Sequence, residues 1–166
     1  IATKDVDKDT NEINYNNGIK IPYDEPKFKY LKANSVLICA EGGSAGKKIA
    51  FTDREICFGN KLFAIEPYEN GMYKYIFYNY KCNYFYNQFS SFMTGIIGGI
   101  SSNNFKTLLF PLPPLAEQNR IIEKVDKLKE LINQFREKIQ KRDKVRQGLK
   151  ASIMNEIEKS NSNHDL

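Results

Sequence analysis

Two patterns of apolar residues divide this 166-residue chain. Up to about Phe110 the apolar positions fall in short runs without a single period, among many Asn, Gly, Tyr and Phe residues. From Leu115 onward they recur at three and four in a glycine-poor, heavily charged stretch, the spacing of one helix face. The cluster Pro111, Pro113 and Pro114 marks the change. In the first part, Ser35–Ala40, Lys48–Phe51, Glu55–Phe58, Lys61–Ile65 and Leu108–Leu112 read as strands. Each is edged by Gly, Asn, Asp or Pro.

Between Asn70-Gly71 and Met93, the residues Met72, Tyr75, Ile76 and Tyr80, then Tyr84, Phe85, Phe89 and Phe92, follow one another at helical steps. They predict one or two helices packed on the sheet. So many aromatic rings could stack on bases, but a duplex hides its base faces, and aromatics at this spacing favour a core.

Pro113-Pro114 can open a helix, because a first turn needs no amide donors there, and Glu117 then meets the positive end of the helix dipole. Ile121, Val125, Leu128, Ile132, Phe135 and Ile139 alternate in steps of four and three, the a/d seam of a coiled coil. The same register next meets Arg142 and Arg146 before regaining Leu149 and Ile153, so the seam opens there or shifts, with Val145 as its alternative. A helix from Leu115 to Glu158 would be roughly 65 Å long, more than a small domain covers, and must project towards a partner. The expected fold is α+β: a strand-rich domain with packed helices over 1–112, one long projecting coiled-coil helix over 113–159, and a flexible polar tail over 160–166.

Composition narrows the chemistry. Lys and Arg outnumber Asp and Glu by 25 to 20, giving +5 and leaving a nucleic-acid partner open without requiring one. No apolar run is long enough to span a bilayer and no cleavable leader opens the chain, so a soluble, cytoplasmic protein is expected, with no membrane partner. Cys39, Cys57 and Cys82 are odd in number, widely spaced and set in apolar stretches, which favours reduced, mostly buried thiols. His164 is the single histidine and lies in the polar tail, which leaves no His-containing zinc cluster or Ser-His-Asp triad for the folded part.

Glu41-Gly42-Gly43-Ser44-Ala45-Gly46-Lys47-Lys48 invites comparison with a phosphate loop. That loop needs a glycine where Glu41 stands and Ser or Thr where Lys48 stands, so nucleotide hydrolysis is not expected. What remains is a tight basic turn, open to two readings: an approach to a DNA phosphate or groove, or a plain exposed turn. Leu112, not Asn or Asp, precedes Pro113-Pro114, so an amino-methyltransferase loop is missing. Asp53, Glu55 and Glu66 have no spacing that suggests a carboxylate enzyme. The basic run Arg136, Lys138, Lys141, Arg142, Lys144, Arg146 and Lys150 could follow phosphates, but a solvated helix face is favoured.

Phe110–Ile122, FPLPPLAEQNRII, closely resembles the proline-and-EQ signature that joins a target-recognition domain to the conserved helix of type I restriction-modification specificity subunits. SVLICAEGGSAGKKIAF at Ser35–Phe51, GNKLFAIEP at Gly59–Pro67, the Gly-Ile-Ser turn at Gly99–Ser101 and the closing RQGLKASIMNEIEK are similar to that family in order and spacing. The resemblance covers almost the whole chain. Family recognition domains begin with further sequence before the equivalent of Ile1–Asp5, so it implies an N-terminally incomplete domain, either a half-subunit or a fragment.

The resemblance implies a chain without a catalytic site that reads one half of a bipartite site in double-stranded DNA. It would dock methyltransferase (modification) and restriction subunits, and S-adenosylmethionine would sit on the partner methyltransferase, with no cofactor on this chain. The seam of Ile121, Val125, Leu128, Ile132, Phe135, Ile139, Leu149 and Ile153 demands a second helix, which a homodimer of such halves would supply. Polar residues in turns are the candidates for DNA contact: Ser44, Lys47, Lys48, Asn60, Lys61, Ser101, Ser102, Asn103 and Asn104, because Asn and Lys match donors and acceptors on base edges. The alternative is a non-catalytic coiled-coil adaptor whose globular head binds a protein partner.

Overall fold

A computed structural model describes residues 1–162 apart from 19, 23, 24 and 70, with side chains to residue 157. The chain divides into two units, Ile1–Ile122 and Glu123–Leu166.

The first unit is organised by β2 (Ser35–Cys39), all five residues of which are buried. It is the central strand of an antiparallel sheet in the order β3-β2-β5, where β3 is Ile49–Thr52 and β5 is Leu62–Ile65. In register, Val36 faces Phe51 on one side and Ile65 on the other, and Ile38 faces Ile49 and Phe63. An unbroken apolar run in a strand means that both faces are covered, since successive side chains point to opposite sides. Val36 and Ile38 accordingly enter one core with Ile76, Phe77, Phe85 and Phe89, while Leu37 and Cys39 enter a second with Val6, Leu31 and Leu62. The second core is closed by a two-stranded ribbon of β1 (Lys29–Leu31) and β4 (Ile56–Phe58), and by a 3-10 turn at Thr3–Asp5.

The first core is roofed by α1 (Met72–Tyr80) and α2 (Asn83–Ser91). Phe85 and Phe89 are fully buried, which stabilises the fold by about 1.5–3 kcal/mol each. The Tyr80 and Phe85 rings stack with centroids 4.1 Å apart, and burial pushes the Tyr80 hydroxyl up to about 12. The helical aromatics are thus chiefly core, although Tyr84 and Phe92 of the same series are exposed.

Leu108–Leu112 is not a strand. It is a connection without regular secondary structure, held by side chains of the two helices: the Leu109 amide donates to Gln88 Oε1 at 3.0 Å, Gln88 Nε2 donates to the Leu109 carbonyl, and the Tyr75 hydroxyl donates to the Pro111 carbonyl at 2.9 Å. Pro111 has no amide for a ladder, so side chains complete the hydrogen bonding that a neighbouring strand would otherwise provide. Ser101–Asn104, expected in a turn, instead opens the short helix α3 (Ser102–Lys106), with Phe105 packed on Phe63 at 5.0 Å.

The long helix α4 (Leu115–Ser162) begins at Leu115, where the Pro114 carbonyl receives the first amides, those of Glu117 and Gln118. Glu117 pairs with Arg120 at 2.6 Å, which holds its carboxyl below the ordinary range. Gln118 is only 5% exposed and donates from Nε2 to the Pro113 carbonyl at 2.9 Å, fixing the proline segment to the first turn. Taken by itself, the second unit is helical through Ser162, and 163–166, which include His164 and most of the tail expected over 160–166, lie outside the described residues. Along α4, Leu128, Ile132, Phe135, Ile139, Leu149 and Ile153 are exposed, and Ile121 and Val125 are half-buried. Forty-eight helical residues correspond to about 72 Å.

Candidate nucleic-acid interface

Polar and glycine-rich loops come together at one end of the three-stranded sheet. Where β2 ends, the chain enters a compact turn in which the Ala45 amide donates to the Gly42 carbonyl at 2.9 Å and the Gly46 amide to the Cys39 carbonyl at 2.8 Å. Gly46 has φ +70°, and a Cβ on it would lie 2.7 Å from the ring of Phe89. This glycine is therefore required by both conformation and space, and it seats the turn on α2.

Two further loops are tied to the same place. The Ala40 amide donates to the Lys61 carbonyl at 2.9 Å, joining the β4–β5 turn. The Gly42 amide donates to the Gly98 carbonyl at 2.8 Å, the Ile100 amide to the Ala40 carbonyl at 3.0 Å, and Glu41 bridges Gly99, joining the segment that leads into α3. An open cleft results, lined by Glu41, Asn60, Phe63, the 94–100 loop and Ser102. Backbone hydrogen bonds between the loops, rather than side-chain packing alone, set its shape.

The sequence-derived candidates separate into groups in this geometry. Asn60 and Ser102 are exposed in the cleft, with Lys61 beside Asn60 and Asn103 beside Ser102, both exposed. Ser44 is half-buried, and its carbonyl accepts the Lys47 and Lys48 amides. Lys47 is exposed, with its ammonium 5.9 Å from the centroid of the Tyr86 ring. Lys48 turns the other way: its Nζ donates to the Thr3 carbonyl at 2.9 Å. Ser101 caps α3, its hydroxyl accepting the Asn104 amide at 3.1 Å, and the Asn104 carbonyl accepts from Thr107. Cys39 lies at the base of the turn, buried, with its thiol donating to the Glu41 carbonyl at 3.2 Å; burial pushes that thiol up.

Sequence reasoning missed Glu41 as a cleft residue and overlooked the tip Ile96-Ile97, two residues that are 107% and 74% exposed. An apolar pair bracketed by Gly95 and Gly98-Gly99 was the available signal. A second surface feature also went unread: the Arg54 guanidinium lies 4.2 Å from the centroid of the Tyr15 ring and bonds Asp53 at 2.9 Å, holding that carboxyl down at about 2. Among the described residues, no group of His, Cys, Asp and Glu is placed to hold a metal ion, and no helix is long and apolar enough to cross a membrane.

The first unit is thus a small mixed domain with its loops gathered at one sheet end, and the second a helix with exposed heptad positions. The model of the type I restriction modification DNA specificity domain matches residues 6–142, and the chain belongs to that family. Among solved structures it is similar to the HsdS subunit from Thermoanaerobacter tengcongensis, with a TM-score of 0.62 and 20% identity over 81% of this chain and 36% of that one. It is also similar to a chain in a structure described as the basis of complex assembly and conformational transition of the type I R-M system, with a TM-score of 0.64 and 19% identity over 82% of this chain and 36% of that one. At these identities the likeness concerns the fold, and the chain spans about a third of the length of each. No curated protein sequence matches it.

Proposed function

We propose that this chain is the DNA-reading part of a type I restriction-modification specificity subunit in the cytoplasm, recognising one half of a bipartite site in double-stranded DNA. The observation that carries the reading is the convergence of the 41–48 turn, the Asn60-Lys61 turn and the 94–104 segment in a domain of this family. Amide, hydroxyl and carboxylate groups on such loops match the donors and acceptors of major-groove edges, and the exposed Lys47 and Lys61 suit phosphates. Recognition is this chain's share of the work; methylation with S-adenosylmethionine and cleavage belong to the modification and restriction subunits that it docks.

The exposed seam from Leu128 to Ile153 supports pairing of α4 with a second helix, and a homodimer supplies one. A two-fold pair of such chains reads a palindromic split site, since symmetry in the protein imposes symmetry on the half-sites.

The test is single-molecule sequencing of methylated DNA from cells that co-express the chain with its modification subunit. Methylation confined to one split motif, and lost without this chain, is the expected result. A soluble complex whose methylation does not depend on the chain would point instead to a coiled-coil adaptor with a protein-binding head.

A further inference from the structure

Ile96 and Ile97 occupy a tip built to hold its shape. The Thr94 amide donates to the Gly99 carbonyl at 2.8 Å across its base, the Gly98 amide donates to the Gly95 carbonyl at 3.2 Å across the turn, and the Gly42 amide fastens the Gly98 carbonyl to the neighbouring loop at 2.8 Å. Gly95 and Gly98 have φ of +80° and +75°, and a Cβ on Gly98 would lie 2.8 Å from the methyl of Met93. The backbone is thus specified on both sides of two aliphatic side chains that lie in water. They belong to no helix or strand, so no seam or sheet face accounts for them as it does for the apolar stripe of α4. Two adjacent isoleucines held on so firmly specified a backbone present a pre-shaped apolar surface to whatever enters the cleft.

Their neighbours indicate which partner. Ile96 and Ile97 share a cleft with Asn60, Ser102 and Glu41. An amide, a hydroxyl and a carboxylate supply donors and acceptors for base edges in the major groove, and thymine alone adds a methyl group to that edge. We propose that Ile96 and Ile97 contact thymine 5-methyl groups, making them specificity-determining residues for at least one T·A pair in the half-site. This rests on the DNA-reading function proposed above. Covering one methyl is worth about fourfold in affinity.

The test uses the chain complexed with its modification subunit and a duplex carrying the motif found by methylation sequencing, in two forms: one with thymine, and one with deoxyuridine at every thymine of the half-site. Wild type should bind the thymine duplex about fourfold more tightly per contacted methyl. The Ile96→Ser/Ile97→Ser variant, with an unchanged Tm, should bind both duplexes equally. Equal binding of both forms by wild type, the same preference in the variant, or a half-site without a T·A pair would overturn the proposal while leaving the DNA-reading function intact. Loss of subunit assembly in the variant with its thymine preference retained would overturn it too, by assigning the tip to a protein interface. Failure of the wild-type complex to prefer its motif over unrelated DNA would sink the underlying function and the proposal together.

Discussion

Three neighbouring glycines allow backbone strain and steric crowding to be separated in the turn that shapes the cleft. Gly43 does not have a positive φ, and a Cβ there would meet nothing within 4 Å; Gly42 has φ +90° and the same open space; Gly46 has φ +70° and places its Cβ 2.7 Å from Phe89. Phe89 is fully buried and cannot swing aside without disturbing Phe85 and Phe105, whose ring centroids lie 6.2 and 6.3 Å away. Gly43→Ala should therefore be neutral or stabilise by up to about 1 kcal/mol. Gly42→Ala should cost about 1–2 kcal/mol through left-handed strain. Gly46→Ala should add about 1–3 kcal/mol of overpacking to the same strain, for a total of about 2–5 kcal/mol. Urea titration followed by tyrosine fluorescence suits the question, because the chain has no tryptophan and all 10 tyrosines precede Phe110, so the signal reports the first unit. Equal losses for Gly42→Ala and Gly46→Ala, with unchanged m-values, would refute the claim that the turn is seated on Phe89.

Other consequences are open to the same kind of measurement. Tyr75→Phe removes the donor to the Pro111 carbonyl and should lower stability by about 1 kcal/mol in urea, whereas no loss would mean that the proline segment is held without it. The Tyr80 hydroxyl titrates near 12 when folded and near 10 when unfolded, so its contribution is complete below pH 10 and is lost as pH rises towards 12, at most about 2–3 kcal/mol; stability measured across that window should fall less steeply in Tyr80→Phe. Lys47→Ala should weaken all DNA binding and lower the salt slope by about one, as expected for a phosphate contact. Lys48→Met should leave the slope unchanged and cost about 1 kcal/mol of stability through the lost bond to Thr3, so a fall in slope for Lys48 instead would reverse the two assignments.

The parts of this fold that were legible in the sequence are those dictated by local periodicity. β2 was visible as an unbroken apolar run, α1 and α2 as aromatics at three and four, and α4 as a heptad series behind a proline pair. Lys29–Leu31 was missed because three residues carry no measurable period, and it is a strand only through its pairing with Ile56–Phe58. Leu108–Leu112 was misread because an apolar run looks alike whether its partners are a neighbouring strand or, as here, Gln88 and Tyr75 on helices distant in sequence. The cleft shows the same division. Asn60, Lys61 and the Ser101–Asn104 polar cluster were identifiable by residue type, but their meeting with Glu41 and the 94–100 loop depends on backbone bonds such as Gly42 to Gly98. Nothing in the residue types of Lys47 and Lys48 distinguishes an ammonium over Tyr86 from one bound to Thr3.

The central claim, that this end of the sheet reads bases, is tested most directly by altering the cleft and sequencing what is methylated. An Asn60→Ala/Ser102→Ala chain changes two exposed side chains in the cleft and leaves the loop hydrogen bonds in place. Co-expressed with the modification subunit, it should still direct methylation to a split motif, but with one or more positions of that half-site relaxed. Methylation at an identical motif, with identical preference at every position, would contradict the claim and move base reading to another surface of the domain.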